Sequence, residues 1–535
     1  MGFISGTGAL GQGKLGHDLL SQGLLSQGLL SQGLISQGAS VYFVGIKGSG
    51  ACALAELLHG AGAKIAGSDV PEAFYTDAIL RELGIPVYEG FDRARIGGGI
   101  GLVVHSAAYG EENEEIAEAR SRGIPVAPYP RALGAYSAGM NSAGVAGVHG
   151  KTTTTAMCGS LAQALGLPAQ ILVGSAAAGF GGRATLNLGG KYFIAETCEY
   201  RRHFLEFRPR RIALTSVESD HQDCFPTCES IREAFIDYCR LLPPGGQLIY
   251  CADDPGASSV AGAVSQEGRG IELIPYGFSA QGDYRIGGYR VCAEAEGTAA
   301  FSAGAFSGEL RLRVPGRHQA QNAAAALALI GALLKEEFGE GWSAERQAAA
   351  QKALEEFAGT KRRSEIVGSA GGIIFMDDYG HHPTAIRATL EGLREFYPAR
   401  RIVASFMPHT FSRTAALLGE FAEALSGADA LFLHKIYASA RERFDGSIDG
   451  MALCDKAASL RGDGGAPFLH YADEPLDALE PLKEYLRPGD LFLTLGAGSN
   501  WPLGIRLFEH FRGAERHGNN SSSSSSASAA EGGRQ

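Results

Sequence analysis

Short apolar runs alternate along this chain with stretches of helical character, and each run closes on a glycine turn or a polar cluster. Val41-Tyr42-Phe43-Val44 predicts a strand, Ala51 to about His59 a helix, and Lys64-Ile65-Ala66 a second strand ending at Ser68-Asp69. Gly101 to His105 and Pro125 to Ala127 add strands, with a helix over Glu112 to Arg122 between them. The pattern returns at Tyr192 to Ala195 and Arg211 to Thr215, then at Ile373 to Met376, Arg401 to Phe406 and Leu491 to Leu495. Helices are predicted over Ala156 to Leu165 and from Pro383 to about Phe396, where proline suits a first helical turn. Wholly apolar runs of four to six residues between helices indicate parallel strands covered on both faces, so the fold class is α/β.

Two regions break the pattern. From Ser21 the pentapeptide Ser-Gln-Gly-Leu-Leu recurs almost perfectly, ending in Ser36-Gln37-Gly38-Ala39-Ser40. A period of five gives neither a helix face nor a strand face, so residues 1–40 read as a disordered low-complexity extension. They lack the charged start, apolar core and small-residue site of a secretory signal. The run Ser521 to Ser526 marks residues 514–535 as a disordered tail.

Composition narrows the partners. A chain of 535 residues has room for about three cores. With 47 basic and 58 acidic residues the net charge is −11, which argues against nucleic acid or an anionic membrane as main partner. No apolar run reaches membrane-spanning length, so no membrane insertion is expected. Nine scattered cysteines fit reduced thiols and a cytoplasmic location. A monomer and a homodimer stay equally open.

The chemistry concentrates in Gly144 to Thr155, Gly-Val-Ala-Gly-Val-His-Gly-Lys-Thr-Thr-Thr-Thr. Backbone N–H groups at a glycine turn that opens a helix carry partial positive charge and cradle phosphate oxygens. Lys151 adds a mobile cation for the terminal phosphates, and the Thr152 hydroxyl is placed to ligate Mg²⁺. Val145 stands where the strict phosphate-loop pattern has its first glycine, while Gly147 keeps a short G-x-x-G-K-T turn. Nearer the start, Gly48-x-Gly50-x-x-Ala53 with Asp69 nineteen residues beyond Gly50 meets the dinucleotide-binding pattern. That signal is weak alone, and a structural tight turn remains open beside it.

Acidic clusters fall at the carboxyl ends of predicted strands, where open parallel sheets collect ligands. They are Glu196-Thr197-Cys198-Glu199 and Glu218-Ser219-Asp220-His221-Gln222-Asp223. The histidine among three acids, His221, reads equally as a metal or phosphate ligand and as a packed loop residue. Farther on, Asp377-Asp378-Tyr379-Gly380-His381-His382-Pro383-Thr384 follows a strand, and Pro408-His409-Thr410-Phe411-Ser412-Arg413 follows the next.

These residues together resemble the Mur ligases, ATP-dependent amide-forming enzymes of peptidoglycan synthesis, over nearly all of Val41 to Arg512. The specific pieces are Val-Gly-Ile-x-Gly-x-Gly, Gly-x-His-Gly-Lys-Thr-Thr and Asp-Asp-Tyr-Gly-His-His-Pro-Thr. The resemblance implies a three-domain architecture. A Rossmann-like UDP-sugar-binding domain would span 41–140, a central phosphate-loop ATP domain 141–360, and a second Rossmann-like domain 361–513. It implies ATP and Mg²⁺ as cofactors and small molecules as the only substrates. It is nearest the branch that joins L-alanine to the carboxylate of UDP-N-acetylmuramate through an acyl phosphate.

The site residues it implies are these. Gly147, His149, Gly150, Lys151, Thr152 and Thr153 hold ATP phosphates, and Asn322 lies on the adenine side. Arg363 at the hinge and Asp378 reach the nucleotide from the third domain. Thr152, Glu196 and His221 are metal-site residues. Gly45, Gly48, Gly50, Asp69 and Ser106 lie near the UDP moiety. Lys151, Glu196, His221, His381 and Arg413 form the catalytic set, and for His381 or His382 contact with the amino acid competes with helix capping. Domain closure would keep water from the acyl phosphate.

Several positions depart from the family pattern. Gln319 and Ser216 stand where asparagines are usual, Cys198 sits in a cluster that has lost its aspartate, and Thr410 replaces one of two arginines near the amino acid, Arg413 being kept. Three alternatives follow: a ligase that adds another residue or recycles a whole stem peptide, a nicotinamide-dependent oxidoreductase built on the Gly48-x-Gly50 turn, and a non-catalytic nucleotide-binding partner.

Overall fold

The protein is described here by a computed structural model covering residues 33–221, 224–292, 297–438, 446, 448–460 and 468–527. It divides into two compact units. One takes residues 33–286 with Ala303–Ser307 and Gln321–Leu354, the other Gly287–Ser302, Gly308–Ala320 and the described residues from Glu355 onward.

The first unit holds two sheets. The smaller is parallel throughout, in the order Val87–Glu89, Lys64–Asp69, Ser40–Val44, Leu102–His105, Val126–Pro128. The strand order reverses between Ser40–Val44 and Leu102–His105, and a crevice opens at that point beyond the strand ends. Val41, Phe43, Val44, Val103 and Val104 are buried, as covered parallel strands require. The larger sheet runs Glu272–Tyr276, Gln247–Cys251, Arg211–Leu214, Asn141–Ala146, Tyr192–Glu196, Ala169–Ala177, Arg183–Asn187. Only its last pair is antiparallel. Asn141–Ala146 is therefore flanked by the two strands whose ends carry the acidic clusters. The helix Ser49–Gly60 ties to this sheet through Glu56, which pairs with Arg183.

The second unit is built on a sheet in the order Glu365–Ala370, Ile373–Asp378, Asp490–Leu495, Arg401–Phe406, Ala430–Leu433, Phe468–Tyr471, antiparallel only in its first pair. The helix Pro383–Phe396 has the expected bounds. His382 caps it, its Nδ1 accepting from Thr384 N–H at 3.4 Å, and Ile386, Leu390, Leu393 and Phe396 form its buried stripe.

Three expectations need correction. The helix expected from Ala156 begins at Lys151 and runs to Ala164. Threonine is a poor helix former, but Thr152 to Thr155 are buried and Gly150 starts the helix in the left-handed region (φ 80°), so context overrides propensity. The disordered extension fails for residues 33–40, since Gly38 N–H donates to Gly62 O at 3.0 Å and Ile35 is 4% exposed. One anchored apolar side chain needs no repeating face, while the rest of the extension, residues 1–32, lies outside the described part. The last helix, Trp501–Ala527, runs on through the serine run that was expected as tail. Once a helix is nucleated on packed residues such as Leu503 and Leu507, each further residue adds one backbone bond.

Candidate active site

The phosphate loop grows out of the central strand of the larger sheet. Gly147 (φ 138°) and Gly150 (φ 80°) bracket it, and neither tolerates a side chain. A Cβ on Gly147 would stand 2.1 Å from Thr215 Oγ1, and one on Gly150 2.5 Å from Asn322 Oδ1. Val148 N–H donates to Ser216 O at 3.0 Å and His149 N–H to Ser216 Oγ at 2.9 Å. The loop is thus anchored to the end of Arg211–Leu214, and these two amides are turned away from any phosphate. The donors that suit an anion are the first-turn N–H groups from Lys151 onward, which lack intrahelical partners by geometry. His149 Nε2 faces Glu218 Oε1 at 2.5 Å. Asn322, expected on the adenine side, lies under the loop, its Oδ1 accepting from Thr154 Oγ1 at 3.3 Å.

Lys151 is folded back. Its Nζ donates to Gly147 O, to Val148 O at 3.3 Å, and to Glu199 Oε2 and Oε1 at 2.9 and 3.2 Å. Burial pushes the ammonium down, but the Glu199 charge outweighs it and holds Lys151 above lysine's ordinary value. On Glu199 burial acts upward, yet Lys151 and then His221 bring its carboxyl below the usual range. His221 lies in the left-handed region (φ 53°), its Nε2 3.4 Å from Glu199 Oε1. The resemblance assigns both His221 and Glu196 to the metal site, whereas among the described residues Glu199 is the glutamate that His221 meets. Glu196 Oε2 instead accepts from Gly174 N–H at 2.8 Å. Thr152 and Thr153 sit buried in the first helical turn.

At the crevice of the smaller sheet, Gly45 (φ 83°) makes the turn after Ser40–Val44, with its N–H donating to Ser68 O at 2.8 Å. A Cβ there would stand 2.6 Å from Ser106 Oγ and 2.7 Å from the Tyr109 ring. Asp69 accepts from Lys47 N–H at 2.7 Å and from Tyr109 Oη at 3.2 Å, so it braces the turn. Gly48 caps the helix Ser49–Gly60, and a Cβ on Gly50 would press on the Tyr129 ring at 2.9 Å. A cleft of about 140 Å³ joins the two halves of this unit, lined by Gly50, Tyr129, Leu172, Gly174, Glu196 and Cys198 among others. The glycine turn of one sheet and the acidic strand end of the other thus share a cavity.

In the second unit Asp378 is buried and satisfied locally. Its Oδ2 accepts from Ser364 N–H at 2.7 Å and its Oδ1 from Gly380 N–H at 2.7 Å. The guanidinium groups of Arg362 and Arg363 each stand 5.1 Å from the Tyr379 ring centre. His381 Nδ1 lies 2.9 Å from Tyr379 O, and a carbonyl only accepts, so Nδ1 carries the proton. His382 is the cap described above, which separates the two histidines. Arg413 is 4% exposed, and its Nη1 donates to His409 O at 2.8 Å. Thr410 is buried against Ser412, Oγ to Oγ 3.2 Å.

The chain matches the Mur ligase family catalytic domain over residues 40–140, the Mur ligase middle domain over 145–330 and the Mur ligase glutamate ligase domain over 362–498. The chain belongs to the Mur ligases. It is 47% identical to the UDP-N-acetylmuramate–L-alanine ligase of Treponema pallidum (strain Nichols), over 88% of this chain and 96% of that protein. The enzyme of the same name from Desulfitobacterium hafniense is 40% identical over 87% and 99%. Among solved structures, the UDP-N-acetylmuramate–alanine ligase of Thermotoga maritima superposes with a TM-score of 0.69 at 25% identity, over 89% of this chain and 99% of that one.

In this Mur ligase the departures acquire structural meaning. Ser216 still anchors the loop through its hydroxyl and carbonyl. Gln319 is buried with its Nε2 3.1 Å from His318 Nε2. Among the groups that sequence reasoning missed are Glu199, Thr215, Tyr109 and Lys47. Only Glu199 carried a signal, as the second acid of a cluster at a strand end; the others became visible through folding alone.

Proposed function

We propose that this Mur ligase joins L-alanine to the carboxylate of UDP-N-acetylmuramate, with ATP cleaved to ADP and phosphate. The support is identity of 47% to a ligase of that name over nearly the whole of both chains, together with a phosphate loop facing an acidic strand end. The proposed division is 41–140 for the UDP-sugar, 141–360 for ATP and 361–513 for the third domain, with residues 33–40 packed onto the first of these. The activity belongs in the cytoplasm, where ATP is available.

A carboxylate is a poor electrophile, so the γ-phosphoryl group passes to it first and the amine then attacks the acyl phosphate, releasing phosphate. Such transfer asks the protein for positioning and charge neutralisation. The first-turn N–H groups from Lys151 to Thr153, with the loop glycines Gly147 and Gly150, hold the phosphates, and Lys151 faces the developing charge. His149 and Asn322 fix the loop from either side. Gly45, Gly48 and Gly50, with Asp69 and Ser106, shape the crevice for the UDP group.

Thr152, Glu196 and His221 would hold Mg²⁺. The donor set of hydroxyl, carboxylate and imidazole beside a phosphate loop fits a phosphate-bound divalent cation, which would neutralise charge on the transferring group. In the second unit, Asp378 orders the turn that presents Arg363 to the nucleotide. Arg413 grips the amino acid's carboxylate. His381, protonated on Nδ1, offers Nε2 to take the amine proton.

The test is phosphate release with UDP-N-acetylmuramate, ATP and Mg²⁺ against a panel of amino acids and a tripeptide. L-alanine alone should support turnover. Turnover with the tripeptide alone would replace the reading with stem-peptide recycling.

A further inference from the structure

The one lysine of the phosphate loop is engaged by its own protein. Lys151 Nζ meets both oxygens of Glu199, at 2.9 and 3.2 Å, and the carbonyls of Gly147 and Val148. The Glu199 side chain is 3% exposed, so the pair is shielded from water and salt. Glu199 is held firmly. Its carbonyl accepts from Arg202 N–H at 2.8 Å, and the neighbouring Cys198 carbonyl from Phe204 N–H at 2.9 Å, which fixes the chain just past the strand. On its far side His221 Nε2 approaches Oε1 at 3.4 Å. A lysine in this position reaches an incoming phosphate only by giving up the carboxylate, and His221 stays behind as Glu199's neighbour.

We propose that Glu199 is a positioning residue, the resting partner of Lys151, which together with the Gly147 and Val148 carbonyls holds the ammonium until a nucleotide phosphate takes their place. This rests on the reading of the loop as the nucleotide phosphate site. Its consequence is a competition: the carboxylate keeps the lysine charged and aimed, and nucleotide binding must displace it. A purely structural counter-ion predicts the opposite, since losing it would only loosen the loop and weaken binding.

The experiment measures ADP binding without Mg²⁺ by titration calorimetry in the full chain. It compares the parent with Glu199→Gln, Lys151→Ala and the double variant, each first shown to be folded by its melting curve. Glu199→Gln should bind ADP about tenfold more tightly, the scale of one charge-assisted hydrogen bond. The gain should vanish in the Lys151→Ala background. Unchanged or weaker binding in Glu199→Gln overturns the proposal. A gain that survives without Lys151 also overturns it, because relief of repulsion between Glu199 and phosphate would then suffice. Lys151→Ala binding ADP like the parent would overturn the phosphate-loop reading itself. If Glu199→Gln does not fold, Glu199→Asp, which withdraws the carboxylate by one methylene, should bind about threefold tighter; no gain there counts against the proposal.

Discussion

His434 makes the stability of the second unit depend on pH in a calculable way. The ring is fully buried, with Nδ1 3.0 Å from Ala472 O and Nε2 2.8 Å from Ser405 Oγ. The carbonyl accepts, so Nδ1 carries the proton of the neutral ring and the Ser405 hydroxyl donates to Nε2. Burial lowers the imidazole to about 4, the Ala472 carbonyl opposing only in part. Unfolded, it titrates near 6.5. Below pH 6.5 the unfolded chain binds a proton that the native ring refuses, so stability is intact above that value and falls as pH drops toward 4. The loss attributable to this ring is about 2 kcal/mol at pH 5 and approaches ~3 kcal/mol below pH 4. Urea unfolding at pH 7.5 and 5.0, for the parent and His434→Leu, isolates it, because other groups titrate alike in both. The parent should lose about 2 kcal/mol more than the variant between the two pH values. Equal losses, or a His434 resonance that titrates near 6.5 in the folded protein, would refute the reasoning.

Four further outcomes are expected. Lys151→Ala should lower turnover by about a hundredfold to a thousandfold while the melting curve keeps its shape, as for loss of one preorganised charge stabiliser, measured by phosphate release. Gly150→Ala should cost ~1–2 kcal/mol in thermal unfolding and weaken ADP binding, because its φ is 80° and the new methyl meets Asn322 Oδ1. Arg413→Lys should raise the KM for L-alanine about tenfold with the KM for ATP unchanged, since a point charge replaces a fork. Ile35→Ala should destabilise the first unit by ~2 kcal/mol in urea unfolding, and no change would mean that residues 33–40 are dispensable after all.

Much of the architecture was legible because its signals are local. Apolar runs of strand length marked the buried parallel strands, and Pro383 marked the start of its helix. Gly-Val-His-Gly-Lys-Thr-Thr and Asp-Asp-Tyr-Gly-His-His-Pro-Thr carried enough backbone and charge chemistry to indicate a nucleotide enzyme and its family. The start of the helix at Lys151 was not legible, since four threonines argue against a helix until burial and a left-handed Gly150 decide for one.

What the sequence by itself determined was the inventory: α/β elements, a phosphate loop, acids at strand ends, and the residues able to hold nucleotide and amino acid. Which of these meet was decided by tertiary structure. Strand order put Arg211–Leu214 and Tyr192–Glu196 on either side of the loop strand, so Ser216 became the loop's anchor and Glu199, not Glu196, the partner of Lys151 and His221. Charge and chemistry are properties of a residue and can be read one at a time. Pairing is a property of distance, and residues 48 and 70 positions from Lys151 come within reach of one another only when the sheet between them has formed.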